Sequence, residues 1–119
     1  MINYYFIFYS LLFFAGQIKD YKPCKTVCLS QTEFIVSDTA KYESLKLYVY
    51  NNTDSDLVIN KLNTSCSCVL ATIQRNIATK TLPGYIYVSV SSFKIKKGDL
   101  YSIDLVTNKP YKLRLEIMK

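Results

Sequence analysis

Apolar and polar residues alternate along this chain in short stretches separated by turn-forming clusters. That period of two turns successive side chains to opposite faces of a strand. The alternation is plainest at residues 45–50 (LKLYVY), 85–90 (YIYVSV) and 111–117 (YKLRLEI). In the last stretch Leu113, Leu115 and Ile117 share one face and Lys112, Arg114 and Glu116 the other, the pattern of a half-buried strand. Residues 32–36, 57–62, 77–82 and 100–106 supply further short strands, with Leu57 and Ile59 on a common face. Between them lie turn signals. The cluster at residues 51–56 (NNTDSD) predicts a hairpin, because Asn and Asp tolerate left-handed backbone and bond to their own main chain. Pro83-Gly84 predicts a turn, residues 96–99 (KKGD) a second hairpin with Gly98 available for positive φ, and residues 108–110 (NKP) the last turn.

About seven short strands at roughly ten-residue intervals, without a helical stretch, define an all-β domain. The expected architecture is an immunoglobulin-like antiparallel β-sandwich over residues 31–119, its core filled by alternate side chains of two sheets. Eleven Tyr and six Phe agree with a strand-rich chain. Residues 17–30 have mixed charges, Pro23 and no apolar period, so they read as an irregular arm carrying Cys24 and Cys28. Ahead of it, residues 4–15 (YYFIFYSLLFFA) form an uncharged apolar run. The run has the length of a secretory signal core and is short for a membrane span of about twenty residues. Residues 1–16 are therefore expected to be a signal peptide or an uncleaved membrane anchor, and the protein to be exported: periplasmic, in the cell envelope, or secreted.

The stretch YVYNNTDSDLVINKLNTSCSCVL, followed by LPGYIYVSV and VTN, resembles the bacterial domain-of-unknown-function 1573 family. The pattern falls on Asn51, on Leu57 and Ile59 of the return strand, on Cys66 and Cys68, on Pro83-Gly84 and on Thr107-Asn108, within residues 45–108. Thr53 stands where the family has a turn Gly, and Ser67 where it has Gly between the cysteines. The resemblance implies an exported immunoglobulin-like domain related in shape to Hydin-type domains, and no particular biochemical activity.

The chain has no His, which removes the usual general base and the commonest metal ligand. Asp54 and Asp56 sit in a turn cluster where solvation explains them, and no Gly-rich phosphate loop is present. Neither an enzyme nor a cofactor is expected. The net charge of +6 favours anionic surroundings, yet the cations are spread along the chain, densest at Lys94, Lys96 and Lys97, so no nucleic-acid partner is expected. Tyr85 and Tyr87 are read as sandwich core in preference to an exposed strip. The expected partner is an unidentified protein or cell-envelope component, with membrane contact only through an uncleaved N-terminal segment.

Chemistry concentrates on Cys24, Cys28, Cys66 and Cys68. In an oxidising compartment an even count favours disulfides. An extended Cys66-Ser67-Cys68 would turn both sulfurs to one side of a strand. In the leading reading, Cys66 or Cys68 bridges to Cys24 or Cys28 and staples the arm to the sandwich, worth about 3–4 kcal/mol for a loop of about 40 residues. The first alternative is Cu(I) capture by the Cys66/Cys68 thiolates. The second is thiol–disulfide exchange, with Lys61 and Arg75 the nearest cations in sequence. The function expected from sequence is an exported structural or protein-interaction module.

Overall fold

A computed structural model describes residues 24–37 and 41–119. The expected leader, residues 1–16, and the first part of the arm lie outside the described residues. Nine strands follow in chain order: β1 (Val27–Leu29), β2 (Glu33–Ile35), β3 (Tyr42–Asn51), β4 (Leu57–Thr64), β5 (Val69–Arg75), β6 (Ile77–Ala78), β7 (Gly84–Ser91), β8 (Tyr101–Thr107) and β9 (Leu113–Met118). A single 3-10 turn, Ser92–Lys94, follows β7.

These strands build two facing sheets. The four-stranded sheet has the order β1-β3-β7-β5, and the five-stranded sheet β2-β9-β8-β4-β6. All pairings are antiparallel except β2 with β9. The partition follows the immunoglobulin sandwich, in which the first, second, fifth and fourth strands share one sheet and the third, sixth and seventh the other. Here β1, β3, β7 and β5 occupy the first set and β4, β8 and β9 the second.

Alternate residues meet between the sheets. Leu47 and Val49 of β3, Ile86, Val88 and Val90 of β7, Leu57 and Ile59 of β4, Ile103 of β8 and Leu115 and Ile117 of β9 are all buried. Each such side chain contributes roughly 1.5–3 kcal/mol of hydrophobic stabilisation. The faces assigned to residues 113–117 and to Leu57 and Ile59 are those observed.

The connections differ from expectation. Only β8 and β9 form a hairpin of consecutive strands; every other connection between described strands passes from one sheet to the other. The cluster at residues 51–56 therefore joins β3 to β4 across the sandwich, and residues 96–99 lie on the crossing from β7 to β8. Alternation dictates which face of β3 and β4 is buried, and both faces are buried against each other across the core. It carries no information on which strand lies alongside.

The arm is also more ordered than its composition suggests. Val27 and Leu29 are buried, and β1 pairs with β3 in the register Val27↔Asn51, Cys28↔Tyr50, Leu29↔Val49. Three residues are too few for a period of two to stand out. The stretch expected as a strand at 77–82 is reduced to Ile77–Ala78, because Thr79 and Leu82 close a turn through Thr79 N to Leu82 O at 2.8 Å and Leu82 N to Thr79 Oγ1 at 3.0 Å. Two strands outside the expected segments, the short β1 and the seven-residue β5, raise the number above the seven expected.

Candidate functional site: the outer face and edge of the four-stranded sheet

Apart from Cys66 and Cys68, the residues singled out by the family pattern gather at one end of the sandwich and act on the fold. Asn51 is 1% exposed. Its Nδ2 donates to Ser55 O and Ala78 O, both at 2.8 Å, and its Oδ1 accepts from Thr53 N at 3.0 Å. Asn108 Oδ1 accepts from Val58 N at 2.9 Å while Asn108 N donates to Val58 O at 3.0 Å, fastening the start of β4. Thr107 Oγ1 donates to Lys109 O at 2.9 Å in the last turn. Pro83 precedes β7, and Gly84 is its first residue, buried where a Cβ would stand 3.0 Å from Arg75 O and 3.3 Å from Ile59 Cδ1. Close approach of neighbouring chains, rather than a special φ, is what requires glycine there.

The cysteines are not joined as expected. Cys24 bonds to Cys28 and Cys66 to Cys68, with Cα separations of 6.1 and 5.2 Å. The arm is held by strand pairing and by Asn52 Nδ2 donating to Cys24 O at 2.5 Å, not by a staple to the later pair. Register explains this. Cys28 lies beside Tyr50, whereas Cys68 O accepts from Ser91 N at 2.9 Å, and Ser91 pairs with Tyr42 at the other end of β3. Eight residues of β3 separate the two positions, about 26 Å of extended chain, against the roughly 4.4–6.8 Å between Cα atoms that a disulfide spans.

Cys66-Ser67-Cys68 is a turn, not an extended segment. Val69 N donates to Cys66 O at 3.2 Å, and Cys68 N approaches Cys66 Sγ at 3.0 Å. The turn carries the chain from β4 to β5, its approach fixed on β8 by Ser65 N to Ser102 O at 3.0 Å. Cys68 is buried and Ser67 exposed. In the closed form neither sulfur is a thiolate, so the pair neither ligates a soft metal nor attacks a disulfide until it is reduced.

The outward face of the four-stranded sheet holds the side chains most available for contact. Tyr85 and Tyr87 lie on it rather than in the core, because their neighbours Ile86, Val88 and Val90 are the ones turned inward. Tyr48 stands 5.7 Å from Tyr85 and 6.4 Å from Tyr50 between ring centroids. Lys46 Nζ and Arg75 Cζ each lie 5.3 Å from the centre of the Tyr85 ring, in cation–π range. Further along, Tyr42 and Phe93 make an edge contact at 6.1 Å, and both are 63% exposed. Leu70 is 71% exposed. Between these lies a shallow pocket of about 210 Å3 lined by Tyr42, Cys68, Leu70, Ser89, Ser91 and Lys94, among others. Of this surface the sequence singles out only Tyr85 and Tyr87, and the structure moves both from the expected core to the outer face. The available signal was the partition of YIYVSV into an Ile-Val-Val face and a Tyr-Tyr-Ser face.

The other sheet presents a different exterior. Arg114 Nε donates to Asp104 Oδ1 at 2.6 Å and Arg114 Nη2 to Asp104 Oδ2 at 3.0 Å, a forked pair across β8 and β9. The hydrogen bond from Arg114 holds the Asp104 carboxyl below its ordinary range, and the same contact raises Arg114. The pair borders an open depression of about 570 Å3 along this hairpin. Its charges are mutually satisfied.

No family model matches the chain, and no curated protein matches it. Its structure is similar to the crystal structure of a protein of unknown function from Porphyromonas gingivalis W83, with a TM-score of 0.62 and 12% sequence identity. The superposition covers 93% of this chain and 55% of that one, so the chain spans about half the length of its neighbour. At that identity the likeness is one of fold alone.

Proposed function

We propose that this chain is an exported immunoglobulin-like module that binds another protein of the cell envelope through the outer face of its four-stranded sheet. One observation carries the reading: the outward positions of β3 and β7 are occupied by Tyr42, Tyr48, Tyr50, Tyr85 and Tyr87 interleaved with Ser44, Ser89 and Ser91. Tyrosine provides large amphipathic contact area at low conformational-entropy cost, and serine provides adaptable hydrogen bonding, a combination typical of protein-recognition surfaces. The outer face of the five-stranded sheet has no such strip and displays the Asp104–Arg114 pair instead. Export is supported by the apolar run at residues 4–15 and by the closure of all four cysteines in disulfides. The resemblance of residues 45–108 to the domain-of-unknown-function 1573 family points the same way.

Site-specific photocrosslinking tests this. With p-benzoylphenylalanine at position 87, the protein expressed in its native host should crosslink to a discrete envelope protein. The same group at position 112, just before β9 of the other sheet, should not. Equal labelling from both positions, or none from position 87, would remove the outer face as the docking surface.

A further inference from the structure

Three of the four edge strands are short. β1 and β2 each offer three residues, and β6 two. The fourth edge, β5, runs for seven residues, Val69–Arg75, and pairs only with β7 among the described strands. A long uncovered edge is a template for another strand, and folded proteins ordinarily shorten, charge or cover it. Here neither Pro nor Lys interrupts β5, and its one charge, Arg75, comes at the end.

Hydrogen-bond phase shows what the edge displays. Ser91 N donates to Cys68 O at 2.9 Å, which makes Cys68 and Ser91 a bonded pair of the antiparallel ladder. Bonded pairs recur every second residue, so Leu70 with Ser89 and Thr72 with Tyr87 continue the ladder toward β7. The N–H and C=O groups of Ala71 and Ile73 then point away from β7, to the open side. Val69 N is already used by Cys66 O in the turn.

Charge selects the occupant. No outward residue of β3, β5 or β7 is acidic, whereas Lys46 and Arg75 lie on the face and Lys94 beside the pocket at the start of β5. A second copy of this chain would bring the same cationic border and another net charge of +6 against it. An acidic segment is attracted instead. Exposed Leu70, with the pocket of about 210 Å3 at its side, offers an apolar contact to such a segment.

We infer that β5 is a strand-addition edge, occupied by an extended, net-acidic segment of the partner protein whose main chain bonds Ala71 and Ile73. This rests on the reading of the chain as a protein-interaction module. Selection of random dodecapeptides displayed on phage against the full-length chain tests it. Enriched peptides should alternate apolar residues with Asp or Glu. Ala71→Pro removes an edge-facing N–H without touching the ladder to β7, and should weaken the selected peptides at least tenfold. Leu70→Glu, at an exposed side chain, should do the same by repulsion and provides a second variant that leaves the backbone intact. Lys112→Glu, just before β9 of the opposite sheet, should have no effect. Absence of enrichment, enrichment of neutral or basic peptides, or undiminished binding to both β5 variants would overturn the inference. So would a dimer in sedimentation that Ala71→Pro dissociates, since the edge would then belong to a second copy. If crosslinks from position 87 persist while peptide selection fails, the interaction surface stands and strand addition falls.

Discussion

Asn51 Nδ2 donates to Ala78 O at 2.8 Å, joining the last residue of β3 to a two-residue strand of the opposite sheet. The same amide holds Ser55 O, so one buried side chain closes the crossing from β3 to β4 and anchors β6. Asn51→Ala should lower stability by about 2–3 kcal/mol, since it leaves a buried carbonyl without its donor. Asn51→Asp should cost more, because a carboxylate accepts but cannot donate. Urea denaturation measures both; a cost below that of an exposed substitution would show that the contact does not hold the crossing.

Gly84→Ala should destabilise by about 1–3 kcal/mol, because the new Cβ meets a backbone oxygen at 3.0 Å and neither chain yields freely. Gly98 has φ +91° and open space around it. Gly98→Ala should therefore cost about 1 kcal/mol through backbone strain alone, and Gly98→Asn less, since Asn tolerates positive φ. Thermal unfolding of the three variants separates crowding from strain.

Both disulfides close short loops, with sequence separations of 4 and 2. Constraint of the unfolded chain then contributes only about 2 kcal/mol or less for each. Cys66→Ser with Cys68→Ser should leave a folded domain, and peptide mapping of the oxidised protein should recover the two local links. A peptide linking Cys24 or Cys28 to the later pair would contradict the register of β1 and β3.

Asp104 should titrate below the ordinary carboxylate range by NMR, and Arg114→Gln should return it upward. A depressed carboxyl stabilises the fold at pH values above its unfolded pKa of about 3.9, and that contribution disappears as pH falls through the folded value. Both side chains of the pair are exposed and screened by solvent, so the loss should be small. A stability difference between wild type and Arg114→Gln that persists unchanged to pH 2 would refute the assignment.

Neighbouring residues of β7 should respond oppositely to truncation. Ile86→Ala should cost about 2–5 kcal/mol as a core cavity, whereas Tyr87→Ser should change stability by less than about 1 kcal/mol. Denaturant midpoints of the pair decide which face of this strand is core.

Strand positions were legible because alternation reports directly on burial: 45–50 and 85–90 fall within observed strands, and 111–117 meets β9 from Leu113 onward. The arm and the tyrosine face were harder. β1 spans three residues, shorter than a pattern can declare itself, and it becomes a strand because β3 has a place beside it. In YIYVSV both alternate sets can be buried, and only the space between the sheets, filled by Ile86, Val88 and Val90, assigns the tyrosines outward.

Local sequence thus determined an all-β chain, its strand segments other than β1 and β5, and the inward faces of β4 and β9, all consequences of side-chain chemistry within a few residues. Tertiary structure decided the rest: that NNTDSD and KKGD cross between sheets, that Cys28 and Cys68 lie by opposite ends of β3, and that no described strand covers the open edge of β5. Pairing uses main-chain groups common to every residue, so its choice is made by the packing of distant faces and by where each strand ends, information no short stretch contains.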